Sequence, residues 1–164
     1  WKQFDRSVTM MCLKGPRVRV EKGIPDLEFL KTMEKEWVIG FCDIDRPRIW
    51  WSPFLKPGFR HVIALRYDVD KKIWLYLNWG KRGLALSALD HDEVDRIIEF
   101  VHRHKGRFLA IKSQKVVYRF PIMPCWCVTA TRHLLGIKKT YFTPYQLYCA
   151  LLKLGARPMF DSNE

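Results

Sequence analysis

Three residue types that together can run thiol chemistry stand between positions 61 and 127: His61, Asn78 and Cys127. His61 opens the run His61-Val62-Ile63-Ala64-Leu65. Asn78 closes Trp74-Leu75-Tyr76-Leu77-Asn78, just before Trp79-Gly80. Both runs are rich in β-formers, and Asp68-Val69-Asp70-Lys71-Lys72 between them reads as a turn. With that turn centred between Val69 and Asp70, His61 and Asn78 fall directly opposite each other. Their side chains then share a face, with Cβ atoms about 5 Å apart. An amide in that position orients the imidazole and fixes which ring nitrogen carries the proton. A one-residue slip would send the two to opposite faces.

The nucleophile comes from Pro124-Cys125-Trp126-Cys127-Val128-Thr129. Cys127 begins a helical segment, where the N-terminal amides lower a thiol pKa and can hold an oxyanion. Cys125 is the alternative. The plainer roles compete: a cysteine in an apolar helix is commonly a small core residue, and a histidine on a strand is commonly structural. Zinc is a rival use of Cys125, Cys127, His133 and Cys149. However, Cys-x-Cys is not the usual ligand spacing and no second pair mirrors it, so no metal and no cofactor are expected.

The elements that must position these groups read as α+β, with helices packed on an antiparallel sheet and no βαβ alternation. One domain is expected over 1–164, with an N-terminal hairpin, helix and loop in 1–58 and the Cys–His core in 59–164. Ser7–Leu13 and Arg17–Lys22 flank a Lys14-Gly15-Pro16 turn. A helix opens at Pro25 and runs to about Trp37, followed by a buried strand over Trp37–Cys42. Residues 43–58, with Trp50-Trp51, read as a loop folded on the core as a lid. The hairpin Phe59–Tyr67 and Ile73–Trp79 comes next. A helix over Asp90–His104 carries Val94, Ile97, Ile98 and Val101 on one stripe, and Gly106 stops it. Arg107–Lys112 and Lys115–Phe120 form a strand pair. The first of two short closing helices runs from Cys127 to Gly136. The second is capped by Thr143 with Pro144 and Gln146 behind it, and ends at Leu154 before Gly155.

His61-Val-Ile-Ala-Leu, Trp74 and Asn78-Trp79-Gly80 resemble the His strand and the Asn-Trp-Gly segment of papain-like cysteine peptidases. His61 and Asn78 precede Cys127 here, an order similar to the circularly permuted branch of that superfamily, the NlpC-type hydrolases and lecithin–retinol acyltransferase relatives. Cys127-Val-Thr-Ala-Thr-Arg-His-Leu-Leu-Gly136-Ile, with Thr143-Pro-Tyr-Gln-Leu-Tyr, also resembles small proteins of tailed bacteriophages. The resemblance covers 59–80 and 124–155. It implies a permuted papain-like core in which Cys127 is the nucleophile, His61 the base and Asn78 its orienting partner. The family's oxyanion Gln just before the Cys has no counterpart at that spacing, since Gln114 lies thirteen positions upstream.

Charge supplies a second reading. The chain carries a net +12. Residues 1–58 hold eleven Lys/Arg against eight Asp/Glu, whereas residues 100–160 hold eleven Lys/Arg and no acid. Such a block attracts polyanions. A non-catalytic virion component would use it on DNA, on other virion proteins or on an acidic partner. The five cysteines (Cys12, Cys42, Cys125, Cys127, Cys149) are odd in number and scattered, so no disulfide framework is expected. No apolar run is long enough to span a bilayer and none reads as a secretion signal. These features point to a cytoplasmic or virion-associated protein. Phosphate-loop, dinucleotide, zinc-protease and serine-elbow motifs are absent, leaving nucleotide hydrolysis, dinucleotide redox and serine hydrolysis without support.

Overall fold

Glu36–Cys42 (β1) is buried at every residue, as a near-continuous apolar run must be when both faces are covered. The computed structural model describes residues 36–43, 54–80, 83–113 and 126–159. Five further strands join β1: His61–Asp68 (β2), Ile73–Gly80 (β3), Gly83–Leu89 (β4), Arg107–Lys112 (β5) and Arg157–Met159 (β6). They form one six-stranded sheet in the order β4-β3-β2-β1-β5-β6, and every pairing is antiparallel. Helices lie on both faces. His91–Arg103 (α1) packs Val94 and Val101 with Val38, Ile63, Leu65 and Trp74. Cys127–Leu134 (α2) and Pro144–Lys153 (α3) pack Val128, Leu147 and Leu151 with Ile39, Phe41, Val62 and Ala64. The sheet therefore separates two apolar cores, and strand alternation decides which core each residue joins.

Capping explains where two helices begin. Asp90 accepts from the Glu93 N–H at 2.8 Å while Glu93 accepts from the Asp90 N–H at 3.1 Å. Thr143 and Gln146 make the same reciprocal pair ahead of α3, and Pro144 takes the first helical turn.

The expected helix to Trp37 is corrected at its end, because Glu36 and Trp37 belong to β1. Glu36 is buried and accepts from Arg157 at 2.6 Å, so a partner 121 residues away draws it into the sheet. Two strands were not expected at all, β4 and β6. The hairpin at 7–22, most of the helix from Pro25, the Trp50-Trp51 segment and the strand at 115–120 lie outside the described residues.

Gly40 marks the tightest packing of β1. A Cβ there would lie 2.7 Å from Ile63 Cγ1 and 2.8 Å from Phe108 Cε1. Gly40→Ala is expected to lower stability by about 1–3 kcal/mol, the usual cost of overpacking. The check is a lower urea midpoint at unchanged slope, and an unaltered midpoint would contradict it.

Candidate active site

The start of β2 is tied to the end of β1. Arg60 N–H donates to the Cys42 carbonyl at 3.1 Å. Asp43 Oδ1 accepts from the Gly58 N–H at 2.8 Å and lies 3.8 Å from Arg60 Nε. Gly58 has φ +81, a conformation that suits glycine. His61, the residue after Arg60, pairs with Cys42 of β1.

The β2–β3 register differs from the one expected. Asp68 pairs with Ile73 and Ile63 pairs with Asn78, so the turn centres one residue later, between Asp70 and Lys71. The Asp68 carboxylate accepts from the Lys71 N–H at 3.1 Å and holds that turn. His61 and Asn78 are therefore diagonal neighbours rather than direct opposites. The offset is an even number of residues, so the face is kept. His61 Nε2 lies 2.7 Å from Asn78 Oδ1. An amide oxygen only accepts, so Nε2 carries the proton and Nδ1 keeps its lone pair. Burial lowers the His61 pKa below the ordinary 6.5, against the smaller opposing effect of the Asn78 bond, and the ring is neutral at neutral pH.

Cys127 is the first residue of α2. The preceding residue, Trp126, makes no side-chain cap, so the first-turn amides stay available. Three backbone N–H groups act on the sulfur, from Val62, Val128 and Cys127 itself. They favour the thiolate, but burial outweighs them and pushes the thiol above its ordinary 9.0. The sulfur faces a small cavity that it shares with Val62, Ala64, Leu77, Trp79, Leu84 and Thr131.

Cys127 and His61 are thus brought to the same end of the sheet without being joined. The Val62 N–H, next to His61 in β2, is among the groups that favour the thiolate of Cys127, and Val62 and Cys127 line the same cavity. Leu77 and Trp79, on either side of Asn78, line the thiol's cavity. Alternation turns His61 and Asn78 toward the α1 face and Val62, Leu77 and Trp79 toward the α2 face, and no hydrogen bond links the thiol to the imidazole. Cys125 lies outside the described residues. Cys127, His133 and Cys149 do not converge, since no group of three or more His, Cys, Asp or Glu side chains placed to hold a metal is found among the described residues. His133 instead lies 2.9 Å from an Arg132 nitrogen. The cavity wall was missed in the sequence, although the alternation of the two strands carried the signal for Val62, Leu77 and Trp79. Leu84 had no such signal, because its strand was unread.

Comparisons with protein-family models, curated proteins and solved structures found no match. No helix among the described residues is long and apolar enough to cross a membrane.

The neutral, buried imidazole has a consequence for stability. Its folded pKa lies below 6.5, so the unfolded chain binds the proton more tightly. Stability from this group is complete above 6.5 and falls as pH drops toward the depressed folded value. His133, lowered by burial and by Arg132, acts in the same direction. His61→Gln is expected to flatten the acid limb of a plot of Tm against pH. An acid limb as steep as the parent's would show that His61 does not set it.

Proposed function

We propose that the chain is a papain-like thiol hydrolase or acyltransferase acting on an amide or ester bond, with Cys127 as nucleophile, His61 as base and Asn78 as the residue that orients His61. The observation that carries this reading is the 2.7 Å contact between His61 Nε2 and Asn78 Oδ1. It leaves Nδ1 with a lone pair able to accept a proton, on the residue that precedes Val62 in β2. Cys127 at the uncapped start of α2 supplies the matching half.

In the proposed reaction Cys127 Sγ attacks the substrate carbonyl and its proton passes to His61 Nδ1. The negative charge on the carbonyl oxygen is met by the first-turn amides of α2. Collapse of the tetrahedral intermediate expels the amine or alcohol, which takes the proton back from His61. Water, or an acceptor nucleophile for transfer, then releases the acyl group with His61 again as base. The resting pair is neutral, and the ring and the thiol lie on opposite faces of the sheet, so the proposed transfer requires His61, the first residue of β2, to swing about the strand's end toward Cys127 when substrate binds.

A peptidyl vinyl sulfone, which reacts covalently with an activated thiol, tests the reading. At neutral pH it is expected to label Cys127 ahead of Cys42 and Cys149. His61→Ala should slow that labelling by about a hundredfold or more, the usual scale of a lost general base. Asn78→Ala should slow it less. Equal labelling of the three cysteines in the folded chain would remove the catalytic reading.

A second reading, a non-catalytic virion structural or binding protein, is favoured by one observation. Helices α2 and α3 and the segment between them carry no carboxylate, and Lys138, Lys139 and Lys153 are exposed there. If each neutralises one DNA phosphate, affinity for duplex DNA should fall roughly fortyfold between about 50 and about 200 mM salt. Affinity that does not change with salt would exclude binding through these lysines.

A further inference from the structure

We propose that the open edge of β4 docks an extended polypeptide segment, apolar at alternate residues and acidic at its flanks, as a seventh strand leading to Cys127. This deepens the thiol-hydrolase reading and rests on it for the fate of the docked chain. The surface itself is argued independently.

β4 stands at the end of the sheet and, among the described residues, pairs only with β3. The outward backbone groups of such a strand are a template for another strand. Edge strands are usually blunted by charge, proline or a very short length. Gly83–Leu89 has none of these: its seven residues are Gly, Leu, Ala, Leu, Ser, Ala and Leu. Its exposed row is apolar, with Leu84 50% and Leu86 64% accessible. Leu84 and Leu86 pair across the ladder with Trp79 and Leu77. Leu84, Trp79 and Leu77 also line the cavity that holds Cys127. The apolar row is therefore continuous from the open edge to the thiol.

The charge layout selects among peptides. β3, β4, α2, α3 and residues 135–143 contain no Asp or Glu, whereas Arg132, Lys138, Lys139 and Lys153 lie on the two helices and their connection. The carboxylates Asp90, Asp92, Glu93, Asp95 and Glu99 belong to α1 and its cap, on the other face. Acidic flanks on the docked segment match the cationic side. An acyl chain is a poorer occupant, because it would cover the leucines and leave the edge amides without partners.

The probe is the synthetic peptide Glu-Glu-Leu-Thr-Leu-Thr-Leu-Glu-Glu, labelled with a fluorophore and titrated against full-length Cys127→Ser protein, which binds without turnover. Binding is expected, and exchange of its four Glu for Lys should weaken it. N-methylation of one alternate set of peptide amides should abolish it while the other set is tolerated, because only one set faces β4. Leu86→Lys, at an exposed position that folding tolerates, should weaken binding by about tenfold and leave the urea midpoint of unfolding nearly unchanged. The proposal is overturned if no peptide binds or if both N-methylated sets bind alike. It is also overturned if Leu86→Lys has no effect, or if dodecanoate or phosphatidylglycerol vesicles displace the peptide. Peptide binding without vinyl sulfone labelling would leave the docking surface standing and remove the thiol chemistry alone.

Discussion

Strand alternation in β2 decides where every candidate group ends up, and the packing of β1 is what pins that alternation. Val38 faces Leu65, Gly40 faces Ile63 and Cys42 faces His61. Ile63 can occupy its place because Gly40 has no side chain. A slip of one residue would drive Ile63 and Leu65 out of the α1 core and Val62 and Ala64 out of the other, so the register is strongly specified. With it fixed, His61 is aimed at Asn78 on the α1 face and Val62 joins Cys127 in lining the cavity on the α2 face. The two halves of the candidate site are set by neighbouring residues of one strand.

Two opposing electrostatic effects meet at Cys127. Three backbone N–H groups pull toward the thiolate, while burial pushes toward the thiol and prevails. Burial acts on His61 in the corresponding sense, favouring the neutral ring. A buried ion pair would require both desolvation costs to be met at once, and the chain rests with neither group charged. Capping shows the same arrangement from another side. α1 and α3 each begin with a complete capping box, whereas α2 begins at Trp126 with no side-chain cap. Among the described helices, the one start without a side-chain cap is where a thiol sits. Local rules are most often broken where a site needs the groups that a cap would occupy.

Much of this was legible in the sequence because it depends on local chemistry. The stripe and acidic first turn of α1, the Thr143-Pro144-Gln146 start of α3 and the β-rich hairpin runs each carry their own signal. What was illegible depends on distant partners. Glu36 looks like the continuation of a helix until Arg157 accounts for its burial. β4 is built of Gly, Ala, Leu and Ser, without β-branched residues, and is a strand because β3 pairs with it. β6 contains Pro158, which a sheet tolerates at an edge. The His61–Asn78 pairing was readable as to face and misread as to register. Parity follows from alternation, whereas the exact partner follows from the turn that the Asp68 carboxylate holds.

Net charge does not separate the two functional readings, since the same lysines would draw an anionic substrate or hold a polyanion. The buried imidazole separates them better. Burial holds His61 below its ordinary pKa, which makes the fold less stable in acid. A protein that served only as a scaffold would lose nothing by filling the end of β2 with an apolar side chain. Replacing both partners of a buried hydrogen bond by apolar groups of similar shape is commonly neutral or stabilising. A histidine kept neutral, with Nε2 committed to Asn78, keeps Nδ1 able to accept a proton. Perturbed groups of this kind gather at sites of chemistry, and this one lies at the same end of the sheet as the Cys127 thiol, on the opposite face.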